Sequence, residues 1–440
     1  MTEPFVTVIM PSLNVKKYIR ECMDSVVGQS LQGLEILCID AGSTDGTLEI
    51  LEEYARSDKR IILHHSTMKS YGQQINMGVN LAKGKYVAVV ETDDYIDNHM
   101  YETLYGIAEE NQLDYVKADF MGFLELRSGQ IYFDKGRVWP DDGLYRKVLS
   151  AEEYPKLYIR DVNIWKGLYN RNFLLEHEIR LNETPGAAFQ DIGFCHLLLA
   201  YARRAMYIKD MLYFYRRDNE ASSSAKPYGI CFAYQEYKRL CSIPMKCKNT
   251  KLFYHYLYVR MIYVFIGEYE KLLLFGVKLT QESSEAIRWF QTVLYQQIEE
   301  KEITSGDVDE KTWNKLRLLI NCEDKFAAEW YKDQKEKEKL KKELFKRIGT
   351  EQIIIFGCGY YGGRSLLFCD KHNISIAAFC DNDPCLWERQ YYGYQVCRPI
   401  ELTTTYSNIK IMISSSKYER AIRMQLADMG INEERVLLFL

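Results

Sequence analysis

The first hundred residues carry their apolar positions in short continuous runs, separated by stretches in which they recur at helical spacing. Phe5 to Met10, Leu34 to Ile39, Arg60 to His64 and Tyr86 to Val90 are runs rich in β-branched residues. Such runs read as strands buried on both faces of a parallel sheet. Between them, Tyr18, Ile19, Cys22 and Val26 repeat with the period of a helix from Val15 to Val27, which Asn14 would cap. Further helices are expected over Leu48 to Arg56 and Ile75 to Ala82. Strand and helix therefore alternate, the signature of a doubly wound α/β sheet. Beyond Tyr228 the pattern turns helical up to about Leu319, and Tyr331 to Arg347 is a charged helix of alternating sign. From Glu351 the strand pattern returns, with strands expected at 352–356, 375–380, 409–413 and 435–439 and a helix from Tyr418 to Met429.

This organisation divides the 440 residues into three expected domains: 1–225, a catalytic α/β domain; 226–348, a helical domain ending in the charged linker helix; and 349–440, a small α/β domain. Composition changes this picture little. An apolar fraction of 47% and a charged fraction of 27% are ordinary for a soluble protein. A net charge of -4 excludes a general nucleic-acid binder. The start lacks a basic leader and the most apolar later run, Met261 to Gly267, is too short to cross a bilayer. A cytoplasmic protein is expected, with peripheral contact at the inner membrane face as an alternative. The helical region offers a face for packing on the catalytic domain or for a homo-oligomer. Twelve cysteines form no C-x-x-C pair and read as reduced, buried thiols.

The candidate chemistry sits where strands end. The run through Val90 stops in Glu91-Thr92-Asp93-Asp94. Strand alternation puts Glu91 and Asp93 on one face and Asp94 on the other. Hard oxygen ligands at the carboxyl edge of an open sheet suit Mg²⁺ or Mn²⁺, or they form a solvated acidic turn. Asp40 closes the second strand on the same edge, before the small-residue turn Ala41 to Thr47. Farther on, Pro185-Gly186 is a turn, and a helix is expected from Gln190 to Arg203 with Asp191 in its first turn. An acid there is stabilised in its ionised form by the helix dipole. In the last domain, Gly357-Cys358-Gly359-Tyr360-Tyr361-Gly362 follows a strand, and Asp381 lies nineteen residues after Gly362. That spacing is close to a dinucleotide fingerprint. Gly357, Gly359, Gly362 and Asp381 are a candidate second nucleotide site, or a retained turn in an interaction module.

Three of these motifs together carry a family likeness. Val6 to Asn14, Cys38 to Thr47, and Gly84-Lys85-Tyr86 running into Glu91 to Asp94 resemble the family 2 glycosyltransferases of the GT-A fold. The resemblance covers roughly the first half of the chain. It implies an inverting, metal-dependent transfer of a sugar from a nucleotide-sugar donor, with UDP the usual nucleotide. The acceptor would be a glycan, a lipid-linked glycan or a protein in envelope polysaccharide synthesis. Pro11, Asn14 and Asn76 would line the donor site with Thr92, and Asp40 would bond the base. Asp93 would hold the metal on the diphosphate, with Glu91 standing where the family usually has Asp. Gln190-Asp191 resembles the motif whose Asp is the catalytic base, with Gln in place of Glu. Asn163-Ile164-Trp165-Lys166-Gly167-Leu168-Tyr169 resembles an element beside the acceptor, where Trp165 would stack on a sugar or pack in the core. Arg216, Arg217 and Ser222-Ser223-Ser224 resemble the segment over the diphosphate. The insert from Asp119 to Glu153 would shape acceptor choice. The last domain is similar to small Rossmann-like domains attached to sugar-modifying enzymes. Two rival readings remain: an oxidoreductase or epimerase run by that last domain, and a non-catalytic sugar-binding scaffold.

Overall fold

The computed structural model describes residues 3–139, 142–220 and 227–439. Pro140, Asp141 and the expected diphosphate-loop residues Ser222, Ser223 and Ser224 lie outside them. The chain forms two compact units, residues 1–122 with 134–327, and residues 123–133 with 328–440.

The first unit begins with β1 (Val6–Ser12), α1 (Ile19–Val27), β2 (Leu34–Asp40), α2 (Thr47–Ser57), β3 (Ile61–His65), α3 (Tyr71–Leu81), β4 (Tyr86–Val89), β5 (Tyr95–Ile96) and α4 (Met100–Asn111). There follow β6 (Tyr115–Glu125), β7 (Ile131–Gly136), α5 (Leu157–Arg160), β8 (Gly167–Asn170), α6 (Arg171–Glu176), α7 (Gln190–Tyr201) and β9 (Ala205–Arg216). Its sheet runs β3-β2-β1-β4-β8-β6-β9-β5, with β7 beside β6. The strands β3, β2, β1 and β4 are parallel, as their doubly buried runs predict. The later strands join antiparallel, giving a mixed α/β sheet. The order reverses at β1, between β2 and β4, so their carboxyl ends open a crevice at the switch point.

The expected first helix starts later than its period suggested. Residues 15–18 form turns and Tyr18, not Asn14, precedes α1. Asn14 takes a left-handed φ of 55° instead, and its side chain accepts from Thr44 N at 2.8 Å. It therefore ties two loops of the switch-point edge rather than capping a helix.

Five helices complete the order before the second sheet: α8 (Gly229–Ser242), α9 (Thr250–Phe275), α10 (Gln281–Glu299), α11 (Glu310–Asn321) and α12 (Glu323–Ile348). Phe253, Leu257, Phe265, Phe290 and Leu294 are among their fully buried residues. Among the described residues, no helix is long and apolar enough to cross a membrane.

The second unit contains most of α12, then β10 (Ile353–Phe356), α13 (Tyr360–Lys371), β11 (Ile376–Cys380), β12 (Gln390–Tyr391), β13 (Tyr394–Cys397), β14 (Lys410–Ile413), α14 (Glu419–Asp428) and β15 (Val436–Leu438). Its sheet order is β12-β13-β11-β10-β14-β15, parallel except for β12 with β13. The tip of the 119–153 insert belongs to this unit: Leu126 and Tyr132 join Leu344, Ile348, Ile355 and Phe379 in one core. Arg127 N donates to Asp370 at 3.0 Å. Leu126 and Tyr132 of the insert thus serve packing.

Candidate active site at the carboxyl edge of the first sheet

Strand β4 stops at Val89 because the chain turns: Asp94 N donates to Glu91 O at 3.0 Å. Strand alternation therefore ends before the acids, and Asp94 does not point away as expected. One oxygen from each of Glu91, Asp93 and Asp94 falls within 4.8 Å of the others. Their surroundings divide the labour. Asp94 is fully buried and accepts from Tyr213 Oη at 2.7 Å and from Arg216 N at 2.7 Å. It anchors β9 to the turn. Thr92 is also buried and donates to Pro11 O at 2.9 Å, holding the turn to β1. Asp93 and Glu91 are only partly buried. Asp93 accepts from Asn219 at 2.7 Å and Glu91 accepts from Tyr71 Oη at 3.0 Å.

The electrostatics of this group are those of crowded like charges. Burial first, then the charges of Asp93 and Asp191, push the Glu91 carboxyl up to about 8, against the bond from Tyr71. Burial first, then Asp93 and Glu91, raise Asp94 well above the carboxylate range. Acids arranged so that they cannot all ionise alone become favourable ligands once a cation offsets them. The donor set is all oxygen, which fits Mg²⁺ or Mn²⁺ and not a soft metal.

Asp40 ends β2 with no solvent exposure. Its Oδ2 accepts from Gly42 N at 2.8 Å and Ser43 N at 2.9 Å, while Oδ1 is buried without a partner. An unmet buried acceptor costs about 1–3 kcal/mol. The loop is thus folded around an acid that still has room for one donor.

Asp191 lies in the first turn of α7, and its Oδ1 accepts from Ile192 N at 2.8 Å. The helix terminus was expected to leave it readily ionised. Burial outweighs that effect and holds its carboxyl above the ordinary range, although Ile192 N, Arg260 and Lys117 pull it down. Asp191 is near enough to bias both Glu91 and Tyr71 electrostatically. Tyr71 thus bonds Glu91 and feels the charge of Asp191, a hundred residues beyond Glu91 in the chain. The local fold explains how. Tyr71 N donates to Gly186 O at 2.9 Å, and Gly186 N to Lys69 O at 2.8 Å. A Cβ at Gly72 would collide with Asn182 O, so this close crossing requires glycine.

The remaining expected residues are staples more often than contacts. Asn76 is buried, donates to Leu181 O at 2.9 Å and accepts from Leu181 N at 3.0 Å, fixing the segment before α7. Gln190 is buried and donates to Thr184 and Gly186 of the same loop. Trp165 is 3% exposed, stacked on Tyr215 at 5.1 Å and edge-on to Phe120, which is the packing alternative and leaves no sugar platform. Lys166 is buried and 4.0 Å from Asp161, with its ammonium pKa lowered by burial. It has no surface to offer an acceptor. Arg216 donates to Asp93 O at 2.8 Å, pairs with Glu21 and stacks on Tyr18, so it borders the acids. Arg217 turns instead to Asp134 at 3.3 Å. Pro11 is buried beneath Thr92.

Tyr71, Asn219 and Gln74 also border the site, without a motif that marks them in the sequence. Gln74 donates to Ser12 O at 3.1 Å and Ile39 O at 2.6 Å, bridging the ends of β1 and β2. Tyrosine is abundant in this chain, 34 residues, so no single one stood out. In the second unit, Gly357 has a φ of 113° and a Cβ at Gly362 would collide with Gly357 O. Asp381 accepts from Cys358 N at 2.7 Å and from Asp383 N at 2.9 Å, one bond on each oxygen.

Comparison with known proteins places these features. Residues 7–129 match the family described as glycosyl transferase family 2, and residues 349–437 match the one described as C2185-like, N-terminal. The chain is 30% identical over 222 residues to the glycosyltransferase GlyG of Streptococcus pneumoniae, covering 48% of this chain and 70% of that one. It is 32% identical over 231 residues to a poly(ribitol-phosphate) beta-glucosyltransferase of Bacillus spizizenii, covering 50% of this chain and 34% of that one. The uncharacterized glycosyltransferase EpsJ of Bacillus subtilis is 30% identical, with 64% of its length spanned. Among solved structures, residues 1–349 of S. aureus TarS in complex with UDP-GlcNAc superpose with a TM-score of 0.55 at 18% identity, over 75% of this chain and 92% of that one. That likeness is one of fold.

Proposed function

Because this chain belongs to glycosyl transferase family 2, we propose that its first sheet edge transfers a sugar from a UDP-sugar to an acceptor hydroxyl with inversion. The observation that carries the reading is the clustered Glu91, Asp93 and Asp94, of which Glu91 accepts from Tyr71 and feels the charge of Asp191. A donor in the crevice between β2 and β4 would place its base against Asp40 and its diphosphate against Asp93. The unmet Asp40 Oδ1 is an acceptor for an N–H of the base. Asp93, with Glu91, would hold a divalent cation, Mn²⁺ or Mg²⁺. When bound, that ion offsets the charge developing on the leaving diphosphate.

Asp191 acts on the other reactant. The acceptor hydroxyl attacks the anomeric carbon and gives its proton to the Asp191 carboxylate. The bond from that carbon to the diphosphate oxygen breaks, and its electron pair leaves with UDP. A single in-line displacement inverts the anomeric centre. The raised proton affinity of Asp191 suits a group that must receive a proton while remaining ionised enough to start. Asp94, Thr92, Asn76 and Gln190 hold the loops, and Arg216 borders the diphosphate position. Trp165, Lys166 and Arg217 take no part.

We assign catalysis to residues 1–225, support or self-association to the helices of 226–348, and an interaction role to 349–440. A cytoplasmic enzyme of envelope polysaccharide synthesis fits the relatives named above. Asp381 accepts one backbone bond on each oxygen and so holds the glycine turn it faces, which is the support for the interaction role over the rival oxidoreductase.

The test is UDP release from a panel of UDP-sugars, UDP-GlcNAc first, with Mn²⁺ or with EDTA. Release should need the metal, and Asp191→Asn should lower it by about 10³-fold while UDP binding persists. A fully active Asp191→Asn would remove Asp191 as the base.

A further inference from the structure

The residue at 190 is neutral and turned into its own loop, so Asp191 has no acidic neighbour in sequence. A second acid reaches α7 from elsewhere in the fold. Glu236, on α8, is 1% exposed and lies directly on the backbone of α7: a Cβ at Gly193 would collide with its Oε1. Glycine at 193, two residues after Asp191, is what makes room for it.

The carboxylate is tethered on several sides. Arg239 Nη1 is 3.0 Å from Oε1, and Arg239 Nη2 donates to Arg180 O at 2.9 Å. Asn182 stands beside the same acid. One Glu–Arg pair on α8 thus grips the segment 180–193 near both ends, and that segment carries Asp191. The Oε2 atom is buried and has no hydrogen-bond partner. A carboxylate kept in such a place is expensive, and an apolar residue of similar shape would cost less to bury. Burial pushes its carboxyl up to about 7, with the charge of Asp191 among the causes and Arg239 and Asn182 opposing.

We propose that Glu236 is a positioning residue for the base: from α8 it fixes the first turns of α7 and so the aim of Asp191. It lies against the backbone of α7 two residues beyond the base, where residue 190 is neutral. The proposal rests on the reading of Asp191 given above.

The test compares Glu236→Gln and Glu236→Asp with the unaltered chain, using UDP-GlcNAc and the rest of the UDP-sugar panel with Mn²⁺, and UDP alone for binding. A misaimed base costs turnover and not donor affinity. Glu236→Gln should lower kcat about 10- to 100-fold with KM for the donor and UDP affinity unchanged, and Glu236→Asp should recover part of it. A Glu236→Gln enzyme with full kcat overturns the proposal and leaves Asp191 as base. If Glu236→Gln does not fold, Arg239→Gln decides: it keeps the acid but frees the 180–182 segment, and unchanged kcat there overturns the proposal too. An unaltered chain that binds no UDP and turns over no UDP-sugar sinks the transferase reading, and this inference with it.

Discussion

Asp40 and Asp381 occupy the same place in two different sheets. Asp40 ends β2 and Asp381 directly follows β11, and each accepts from the backbone of the loops around it. They differ in what is left over. Asp40 spends one oxygen on Gly42 and Ser43 and keeps the other buried and empty. Asp381 spends one oxygen on Cys358 and the other on Asp383. Both carboxylates take two backbone bonds, and only in Asp40 is one oxygen left buried without a partner. The same contrast runs along one helix. On α7, Asp191 accepts from Ile192 N on one oxygen and is the base proposed above, while His196 bonds Phe253 O at 3.0 Å and is enclosed by Tyr158 and Phe253.

The sharpest way to break the contrast is to remove the proposed metal holder. Asp93→Asn should weaken Mn²⁺-dependent UDP-sugar binding about 100-fold in calorimetric titration, and unchanged Mn²⁺ dependence would count against Asp93 as ligand. Next come the glycines of the second unit. Gly362→Ala should destabilise the protein by about 3 kcal/mol, because its Cβ meets Gly357 O, while Gly359→Ala meets nothing and should be near neutral. Equal melting temperatures for the two would mean that the turn is not packed as described.

The paired acids test the comparison itself. Asp40→Asn presents an N–H where the base needs an acceptor and should cost about 10-fold in UDP affinity. Asp381→Asn should leave UDP affinity of the first unit unchanged and lower stability by about 1–3 kcal/mol, because an N–H then faces a backbone N–H. The reverse pattern would exchange the roles of the two sheets. The smallest effect concerns His196. Burial lowers its ring to about 3, so the folded protein keeps it neutral while the unfolded chain takes a proton below about 6.5. Its contribution is fully present above pH 6.5 and is lost as pH falls, by about 1.4 kcal/mol at pH 5.5. His196→Phe should flatten that part of the stability profile, measured by thermal melting from pH 7.5 to 5.5.

Much of this was legible in the order of residues. Continuous apolar runs ending in Asp40 and Glu91 announce parallel strands and a common edge, because both the burial and the acids are local facts. The glycine turn at 357–362 is legible for the same reason. What was not legible depends on who meets whom across the fold. Trp165 lies in a motif that could face solvent, and only the neighbours Tyr213, Tyr215 and Phe120 decide that it does not. Asn76 carries a donor-site likeness but bonds the irregular segment at Leu181, a hundred residues on. Asp94 was assigned to the wrong face because the strand period was extended beyond Val89 into a turn. Glu236 has no motif at all; it sits on a tyrosine-rich helix, and the one hint is the need for glycine at 193.

On the function proposed above, the first sheet edge binds a nucleotide sugar through an acid-held metal. The most direct measurement is the melting temperature of the full chain against UDP, UDP-GlcNAc and other UDP-sugars, each with and without Mn²⁺, and against NAD(H). A ligand that binds only the folded protein raises that temperature. The account predicts a rise with a UDP-sugar that requires Mn²⁺ and disappears in Asp93→Asn. A rise with NAD(H) alone, indifferent to Asp93→Asn and lost in Gly359→Val, would contradict it and move the function to the second sheet.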